Sequence, residues 1–557
     1  MTCFLYKNTY YGTCIILVLC TIESMNRLTE YDVRKAKLKT LRELGIIPFA
    51  QQWSQNSHIN TLKLIDQSSL RPIEDILSGP RPQVSLAGRL MLKRVSGKLS
   101  FAQLKDETGT LQLMFEHQHT KLLTLPNGQE KTLMGETTKS FDYRFVDKML
   151  DVGDYIGVRG ELFVTHKGEL TLFVSEYQLL SKAIRPLGDK FHGIGEDNAE
   201  TAYRQRYLDM IFNDESLERM KLRSQFIKTM REFYRSQGFM ELDTPILGNS
   251  ASGAAAAPFV THHNDFDTDM YLRIAPEIAL KMATVGGLEK IFEIGKNFRN
   301  EGSSPSHIQE FLVVEHYAAY RNYEHNMAFT EQLFNYLFDN IPQLKRTIQV
   351  ADKNGEIKEV SFGQTWERID YVKRIREDSG IDVGQYGPEN EDELRALILS
   401  KGFHRVGIEK QGTATMIDYL YKKVTRPKIV GPAFIYNYPK TMQPLARTSD
   451  ANPMIVEQFQ AIVNGWEILK AYSELVDPVE LQANFDAQGA ALERGDDEAT
   501  KGDDEFVLAM EYGMPPQSGR GMGIDRILAM LTEQANIRDV ILFPLVKAEQ
   551  TNTSESE

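Results

Sequence analysis

The sequence predicts an α+β protein in two parts: a small closed β-barrel toward the N-terminus, then a larger domain with a mixed, mainly antiparallel sheet flanked by helices. Two patterns carry that expectation. Between residues 83 and 182, short runs of alternating apolar and polar residues are broken by Gly, Asp-Glu-Thr-Gly and Lys-Gly. From about 200 to 547, helical and strand periodicities alternate with no regular βαβ order. The length of 557 residues suits several domains, or two of unequal size, and 42% hydrophobic with 10% aromatic residues excludes a mainly disordered chain.

Taken in order, residues 10–22 (YYGTCIILVLCTI) are apolar, but no small-residue cleavage site follows them. Residues 1–24 are therefore expected to be an upstream extension, with translation starting at Met25. Residues 27–45 read as an amphipathic helix: Val33, Leu38 and Leu41 supply the apolar positions, and Arg34, Lys35, Lys37, Lys39 and Arg42 a charged face, either solvated or beside bound RNA. This helix and a linker fill 25–82. The runs VSLAGRLMLKRV, LSFAQLKD, TLQLMFE, DYIGVRGELFVT and ELTLFVSEYQLL then give five strands over 83–182, which suits a barrel of the OB type, whose exposed strand face binds oligonucleotides. Residues 117–141 read as a polar insertion at its rim. A linker over 183–199 leads to the large domain at 200–547, with a helix at 215–237 and strands KIFEIGKNF and EFLVVEHYAAY. Within it 495–504 is a charged loop, and 548–557 is a disordered tail.

Charge and cysteine usage narrow the function. A net charge of −13 excludes a globally basic nucleic-acid binder, so a nucleic-acid partner must meet local patches. All three cysteines (Cys3, Cys14, Cys20) lie in the first 20 residues, which excludes a disulfide framework or a cysteine zinc site in the body and suits a reducing, cytoplasmic compartment. No run reaches the ~18 apolar residues that cross a bilayer. Neither a GxxxxGK[ST] loop nor a strand-linked GxGxxG is written here.

Two clusters suggest nucleotide chemistry. FRNEGSSPSHIQEF (298–311) holds Arg299, Glu301, His307 and Phe311 on a strand, a loop and a returning strand: a phosphate contact, an acceptor and a stacking face. GMPPQSGRGMGIDRILAML (513–531) alternates Gly519, Gly521 and Gly523 before Arg526, clearing one strand face for a flat ligand. Together these resemble motifs 2 and 3 of the class II aminoacyl-tRNA synthetases, and GFMELDTPIL (238–247) resembles their dimer-forming motif 1. Within that class the chain is most similar to the lysyl-tRNA synthetases, through AGRLMLKRVSGKLSFAQLKDETG, RPLGDKFHG, YRQRYLDM, GAAAAPFVTHHNDFDTDMYLRIAPE, FRNEG, YSEL, GDDE and RDVILFP, over roughly residues 30–547.

The resemblance implies that lysine and ATP form lysyl-adenylate, and that the lysyl group passes to the 3′ end of tRNA(Lys), in a cytoplasmic homodimer with no membrane association. It assigns Arg299 to the α-phosphate and the lysine carboxylate, Glu301 to the adenine amino group, and Phe311 and Arg526 to the two adenine faces, with His307 by the distal phosphates and Gly523 in the ATP site. Mg2+ is implied, held partly by Glu467. The lysine side would comprise Gly253 and Glu277 at the α-amino group, Glu315, Tyr317 and Glu474 around the ε-ammonium, and Tyr472 along the stem. Converging acidic groups favour a cation and mismatch an aspartate or asparagine substrate. On the barrel, Phe101 and Gln112 would stack on and hydrogen-bond an anticodon base, Glu169 would make a third contact, and Lys93 and Arg94 would offer positive charge. The chain departs from the family pattern at Gln460, where a second magnesium-binding glutamate is usual, at Lys470, where an asparagine near the lysine carboxylate is usual, and at Ser306 and Ile308 in the motif 2 loop.

Overall fold

A computed structural model describes residues 29–67, 70, 83–123, 141–187, 199–250, 253–254, 256–352, 355–363, 365–443, 446–493 and 502–548. The extension at 1–24 lies outside the described residues, as do most of the 183–199 linker, the 117–141 insertion, the 495–504 loop and the 548–557 tail. The chain divides into two compact units, Met1–Gly193 and Ile194–Glu557.

In the first unit the alternating runs form β1 (Gln83–Ser96), β2 (Leu99–Asp106), β3 (Gly109–Glu116), the two-residue β4 (Lys121–Leu122), β5 (Tyr155–Val164) and β6 (Leu170–Ser181). β1 pairs antiparallel with β2 and β5, β2 with β3 and β5 with β6; a parallel β3–β6 pairing closes the barrel. Leu86, Leu104, Leu113, Phe115, Val158, Leu172 and Tyr177 fill its interior.

Helix α1 (Glu30–Glu43) starts at a capping box in which Thr29 and Asp32 satisfy each other's backbone N–H groups. It buries Leu38 and Leu41 as expected, but also Arg34, only 4% exposed. The Arg34 guanidinium donates to the carbonyls of Val152 (2.9 Å) and Ala183 (3.3 Å). Arg34 is thus removed from the charged face that the sequence suggested and serves as an internal strut.

In the second unit the main sheet has eight strands. They are drawn from β7 (Met240–Glu241), β11 (Lys290–Phe298), β12 (Glu310–Ala319), β15 (Glu367–Asp370), β16 (Ala433–Pro439), β17 (Ile455–Val463), β18 (Trp466–Ser473) and β19 (Gln517–Gly523). Their order is β15-β16-β17-β18-β19-β12-β11-β7. The pairings are antiparallel except at the two edges, β15–β16 and β11–β7. Short strands β8 (Leu247–Gly248), β9 (Val260–His263) and β10 (Thr268–Leu272) form a separate small sheet, and β13 (Thr347–Ala351) and β14 (Ile357–Ser361) a hairpin.

Side-chain alternation splits the main sheet into two faces. One face, with Phe292, Val314, Phe459, Ala471 and Met522, packs against Phe226, Met230 and Phe233 of α2 (Asp214–Ser236) and Leu333, Phe334 and Leu337 of α3 (Tyr323–Asn340). The other face is left to the site.

Candidate active site

Strand register assembles the site. On the open face Asn297 of β11 stands opposite Phe311 of β12, Val313 opposite Gly523, Glu315 opposite Gly521 and Tyr317 opposite Gly519. Across β19, Gly519 faces Tyr472 of β18 and Gly521 faces Lys470, and beyond Lys470 stands Gln460 of β17. Residues directly opposite share a face, so Glu315, Gly521, Lys470 and Gln460 form one row, and Tyr317, Gly519 and Tyr472 the next. The row of glycines leaves a floor between two walls of side chains. Above it opens a cavity of about 390 Å³.

That cavity gathers Gly253, Glu277, Arg299, Glu301, His307, Phe311, Glu315, Tyr317, Glu467, Lys470, Tyr472, Gly523 and Arg526. Two expected residues are not in its lining. Glu474 is 3% exposed and lies buried on the same face, beside the Gly519 end of the floor: a Cβ built on Gly519 would come close to its Oε1 and to the Tyr317 ring. Gln460 lies on the same face one strand beyond Lys470 and does not reach the cavity wall.

One end of the cavity is cationic. Arg299 is largely buried, its guanidinium 5.2 Å over the Phe311 ring, and its Nε has no protein partner. Arg526 lies in the first turn of the helix Ile524–Leu531 and donates to the backbone carbonyls of Glu467 (3.0 Å) and Ser306 (3.3 Å). Burial pulls both guanidinium pKa values down, while Glu467 counters it on each and Glu301 also on Arg299. Both remain cations in an electron-poor, partly dry corner suited to phosphate oxygens. The loop between β11 and β12 folds back on itself through reciprocal Ser304 and His307 backbone bonds, and the hydroxyls of Ser304 and Ser306 hold His307 Nδ1 at 2.8 and 2.9 Å. Burial, then Arg526, lowers the His307 pKa.

The other end is acidic. Burial first, then the Glu277 charge, pushes the Glu315 carboxyl up to about 8, against the Tyr317 hydroxyl, which donates to it at 2.8 Å. Burial raises Glu474 to about 7, with Lys281 pulling the other way. Three carboxylates this close cannot all ionise cheaply without cations among them. Gly253 has φ +89°, a conformation that strains any side chain, and a Cβ there would crowd the Glu277 Cβ at 3.1 Å.

Metal fit follows from the donor set. Among the described residues no group of three or more His, Cys, Asp or Glu side chains could hold a metal ion. Glu467 offers a carboxylate to the phosphate-side wall, with the Lys470 ammonium 3.8 Å away. That suits a divalent ion bound mainly by a ligand's own phosphate oxygens.

Sequence reasoning missed two residues here. Asn297 lines the cavity, is 2% exposed and has an unpartnered Oδ1. Lys281 stands behind the acidic wall. Its only sequence signal was its spacing of four residues from Glu277.

On the barrel, Arg94, Phe101, Met114 and Phe173 form one cross-strand row on the outer face, and Leu92, Gln103, Gln112 and Thr171 the next. Phe101 is half-buried against Met114, Phe163 and Phe173, and the Gln112 amide donates to the Thr171 hydroxyl at 2.9 Å. Arg94 is exposed, as is Glu169 in the turn before β6. Lys93 differs. Its ammonium donates to the carbonyls of Val146 (2.9 Å), Asp147 (2.8 Å) and Leu150 (2.6 Å), around the end of helix Phe141–Lys148. Burial lowers its pKa to about 8. The orphan carbonyls of a helix end capture this charge, so it is not offered to the outer face, contrary to the sequence expectation.

Comparison with known proteins identifies the family. The family of class II tRNA synthetases (D, K and N) matches residues 198–547, and the OB-fold nucleic acid binding domain matches residues 84–180. Similar proteins include the lysine–tRNA ligase of Magnetococcus marinus, 38% identical over 532 residues, covering 95% of this chain and 99% of the relative. The lysine–tRNA ligase of Lactococcus lactis subsp. lactis is 38% identical over 533 residues (95% and 100%), and that of Thermotoga maritima 39% over 531 residues (95% and 98%).

Proposed function

Starting from a chain that belongs to the class II lysine–tRNA ligases, we propose the following division of labour in its cavity. Lysine lies along the floor with its ε-ammonium toward Glu315, Tyr317 and Glu474, its stem along Tyr472, its α-ammonium at Glu277 beside Gly253, and its carboxylate at Arg299. ATP stacks between Phe311 and Arg526 over Gly521 and Gly523, with its adenine amino group at Glu301 and its distal phosphates by His307. The observation that carries this reading is the convergence of Glu277 and Glu315 on the cavity that holds Arg299 and Arg526 at its other end.

A carboxylate oxygen of lysine attacks the α-phosphorus, the bond to the β-phosphate breaks, and pyrophosphate leaves. A ribose hydroxyl at the tRNA 3′ end then attacks the lysyl carbonyl and AMP leaves. The protein forms no covalent bond in either step. It aligns the carboxylate with the phosphorus and offsets the charge that builds on the phosphate through Arg299 and Arg526. Magnesium, bound through Glu467 and the nucleotide's phosphates, would add further charge neutralisation there. Water is kept from the ammonium by the buried acidic end, so a substrate carboxylate such as that of aspartate meets an excess of like charge.

The outer barrel face recognises the anticodon of tRNA(Lys), by stacking on Phe101 and hydrogen bonding to Gln112, with Arg94 beside the backbone and Glu169 at the edge. The active form is a homodimer in the cytoplasm. Exposed Met240, Ile246, Leu247, Val260 and Phe266, clustered in sequence around β7 to β10, supply apolar surface for it. No helix among the described residues is long and apolar enough to cross a membrane.

Pyrophosphate exchange across amino acids tests the reading. Lysine is expected to drive exchange, and Arg299→Ala to cost ~10²–10³ in rate. Exchange driven by aspartate or asparagine instead would overturn the lysine assignment.

A further inference from the structure

The acidic end of the cavity is not an open set of carboxylates. The chain has already threaded a cation of its own into it. Lys281, one helical turn after Glu277 on the helix Glu277–Val285, is 2% exposed, and its ammonium lies 2.6 Å from Glu277 and 2.7 Å from Glu474. The two carboxylates come from chain segments almost two hundred residues apart. The ring of Tyr317 is 5.8 Å from the ammonium and that of Phe506 5.7 Å. Neither Lys281 nor Glu474 lines the cavity; Glu277 stands in its wall, and Glu474 lies on the same face beside Gly519.

We infer that Lys281 is a positioning residue that sets the lysine site for a substrate with two ammonium groups. The inference rests on the lysine-site reading above and deepens it.

Glu277, Glu315 and Glu474 bring three negative charges to one buried end, and Lys281 leaves a net charge of −2. A lysine substrate carries two ammonium groups, and its carboxylate is met separately at Arg299, so the two sets balance once the substrate is bound. Taking Lys281 away leaves three buried carboxylates against two ammonium groups, and burial of that excess drives protons onto them. The bridge also fixes orientation. A carboxylate held on one oxygen by an internal ammonium keeps its other oxygen in a fixed direction.

The groups facing this end are Glu277 and Lys281 on the helix, Glu315 and Tyr317 on β12, Tyr472 and Glu474 from the end of β18, and Arg299, whose charge reaches Glu315. Lys281 itself stays charged: burial lowers its pKa, but Glu277 and Glu474 outweigh that and hold it above its ordinary range.

The test compares Lys281→Met, Lys281→Arg, Glu277→Gln and Glu474→Gln in pyrophosphate exchange over a range of pH, each checked for folding by its melting curve. Lys281→Met is expected to raise the KM for lysine about tenfold or more at neutral pH, to leave the KM for ATP within about twofold, and to move the acid limb of kcat/KM for lysine to higher pH. The sign follows because carboxylates that lose a cation hold protons to higher pH. Lys281→Arg keeps the charge and should restore most of the lysine affinity. An unchanged lysine KM and pH profile in Lys281→Met would overturn the inference. So would equal losses toward lysine and ATP with no rescue by arginine, which would mark the bridge as purely structural. Should Lys281→Met fail to fold, Lys281→Arg carries the decision: an acid limb unlike that of the parent would overturn the inference, and a matching one would support it. If Glu277→Gln and Glu474→Gln leave the lysine KM unchanged, the lysine-site reading itself falls; if they raise it while Lys281→Met does not, only the role of Lys281 falls.

Discussion

Single residues in this pocket are constrained in different ways, and substitutions separate them. Gly519 and Gly521 look alike in the sequence, two steps apart on β19. A Cβ on Gly519 would collide with the Tyr317 ring and the Glu474 carboxylate, whereas a Cβ on Gly521 would reach only ordinary contact, 3.8 Å from Glu315 Oε2. Gly519→Ala should therefore destabilise the fold by about 1–3 kcal/mol, seen as a lower denaturation midpoint. Gly521→Ala should fold normally and instead raise the KM for ATP, because its methyl enters ligand space; a destabilised Gly521→Ala would contradict that division. Protonation offers a second residue-scale prediction. Glu315 rises from an ordinary 4.5 to about 8, through burial and then Glu277, and Glu474 to about 7. Between 4.5 and these values the folded chain keeps protons that the unfolded chain has lost, so stability falls as pH rises through that window. A lysine bound as proposed supplies the missing positive charge. The melting temperature of the ligand-free protein should therefore drop from about pH 5 to about pH 8, with lysine giving its larger upward shift at the higher pH. An equal lysine shift at both ends would sink this account.

Among the elements, local periodicity was legible in the sequence and long-range capture of charge was not. KIFEIGKNF was read as residues 290–298 and forms Lys290–Phe298, and the helix expected at 215–237 runs Asp214–Ser236. Both carry a strong local period, which is all that one sequence offers. The glycine floor was legible for the same reason, since alternation on one strand fixes a face. Long-range capture of a charge was not legible. Lys93 and Arg34 sit in amphipathic segments where a solvated face is the natural reading, yet carbonyls more than fifty residues away take them up. The pairing of Lys281 with Glu277 was written at a helical spacing, but its second partner, Glu474, is joined only by tertiary structure. Lys93 yields a prediction at this scale. Lys93→Met leaves three helix-end carbonyls without their donor and should cost about 1–3 kcal/mol of barrel stability, while Arg94→Ala on the exposed face should leave stability within about 0.5 kcal/mol and weaken tRNA binding. The opposite pattern, a stable Lys93→Met that binds tRNA poorly, would return Lys93 to the RNA face.

For the whole molecule, the division into two units, each with its own core, has a kinetic consequence. Activation needs only lysine, ATP and the second unit's cavity, whereas transfer also needs the right tRNA. Its identity is proposed to be checked at the barrel rows of Phe101 and Gln112. Stacking one base on an aromatic ring contributes ~1–3 kcal/mol, and each 1.4 kcal/mol is about tenfold in an equilibrium constant. Phe101→Ala with Gln112→Ala should therefore lower kcat/KM for charging tRNA(Lys) by roughly ten- to a hundredfold or more, mainly through the KM for tRNA. Lysine-dependent pyrophosphate exchange without tRNA should stay at the parental rate, because Phe101 and Gln112 belong to the other unit's core and surface. Glu474→Gln should do the reverse, depressing exchange and charging together. If the double barrel variant lost exchange as severely as charging, the two activities would not be separable by unit, and the barrel would have to be credited with shaping the catalytic cavity instead of choosing the tRNA.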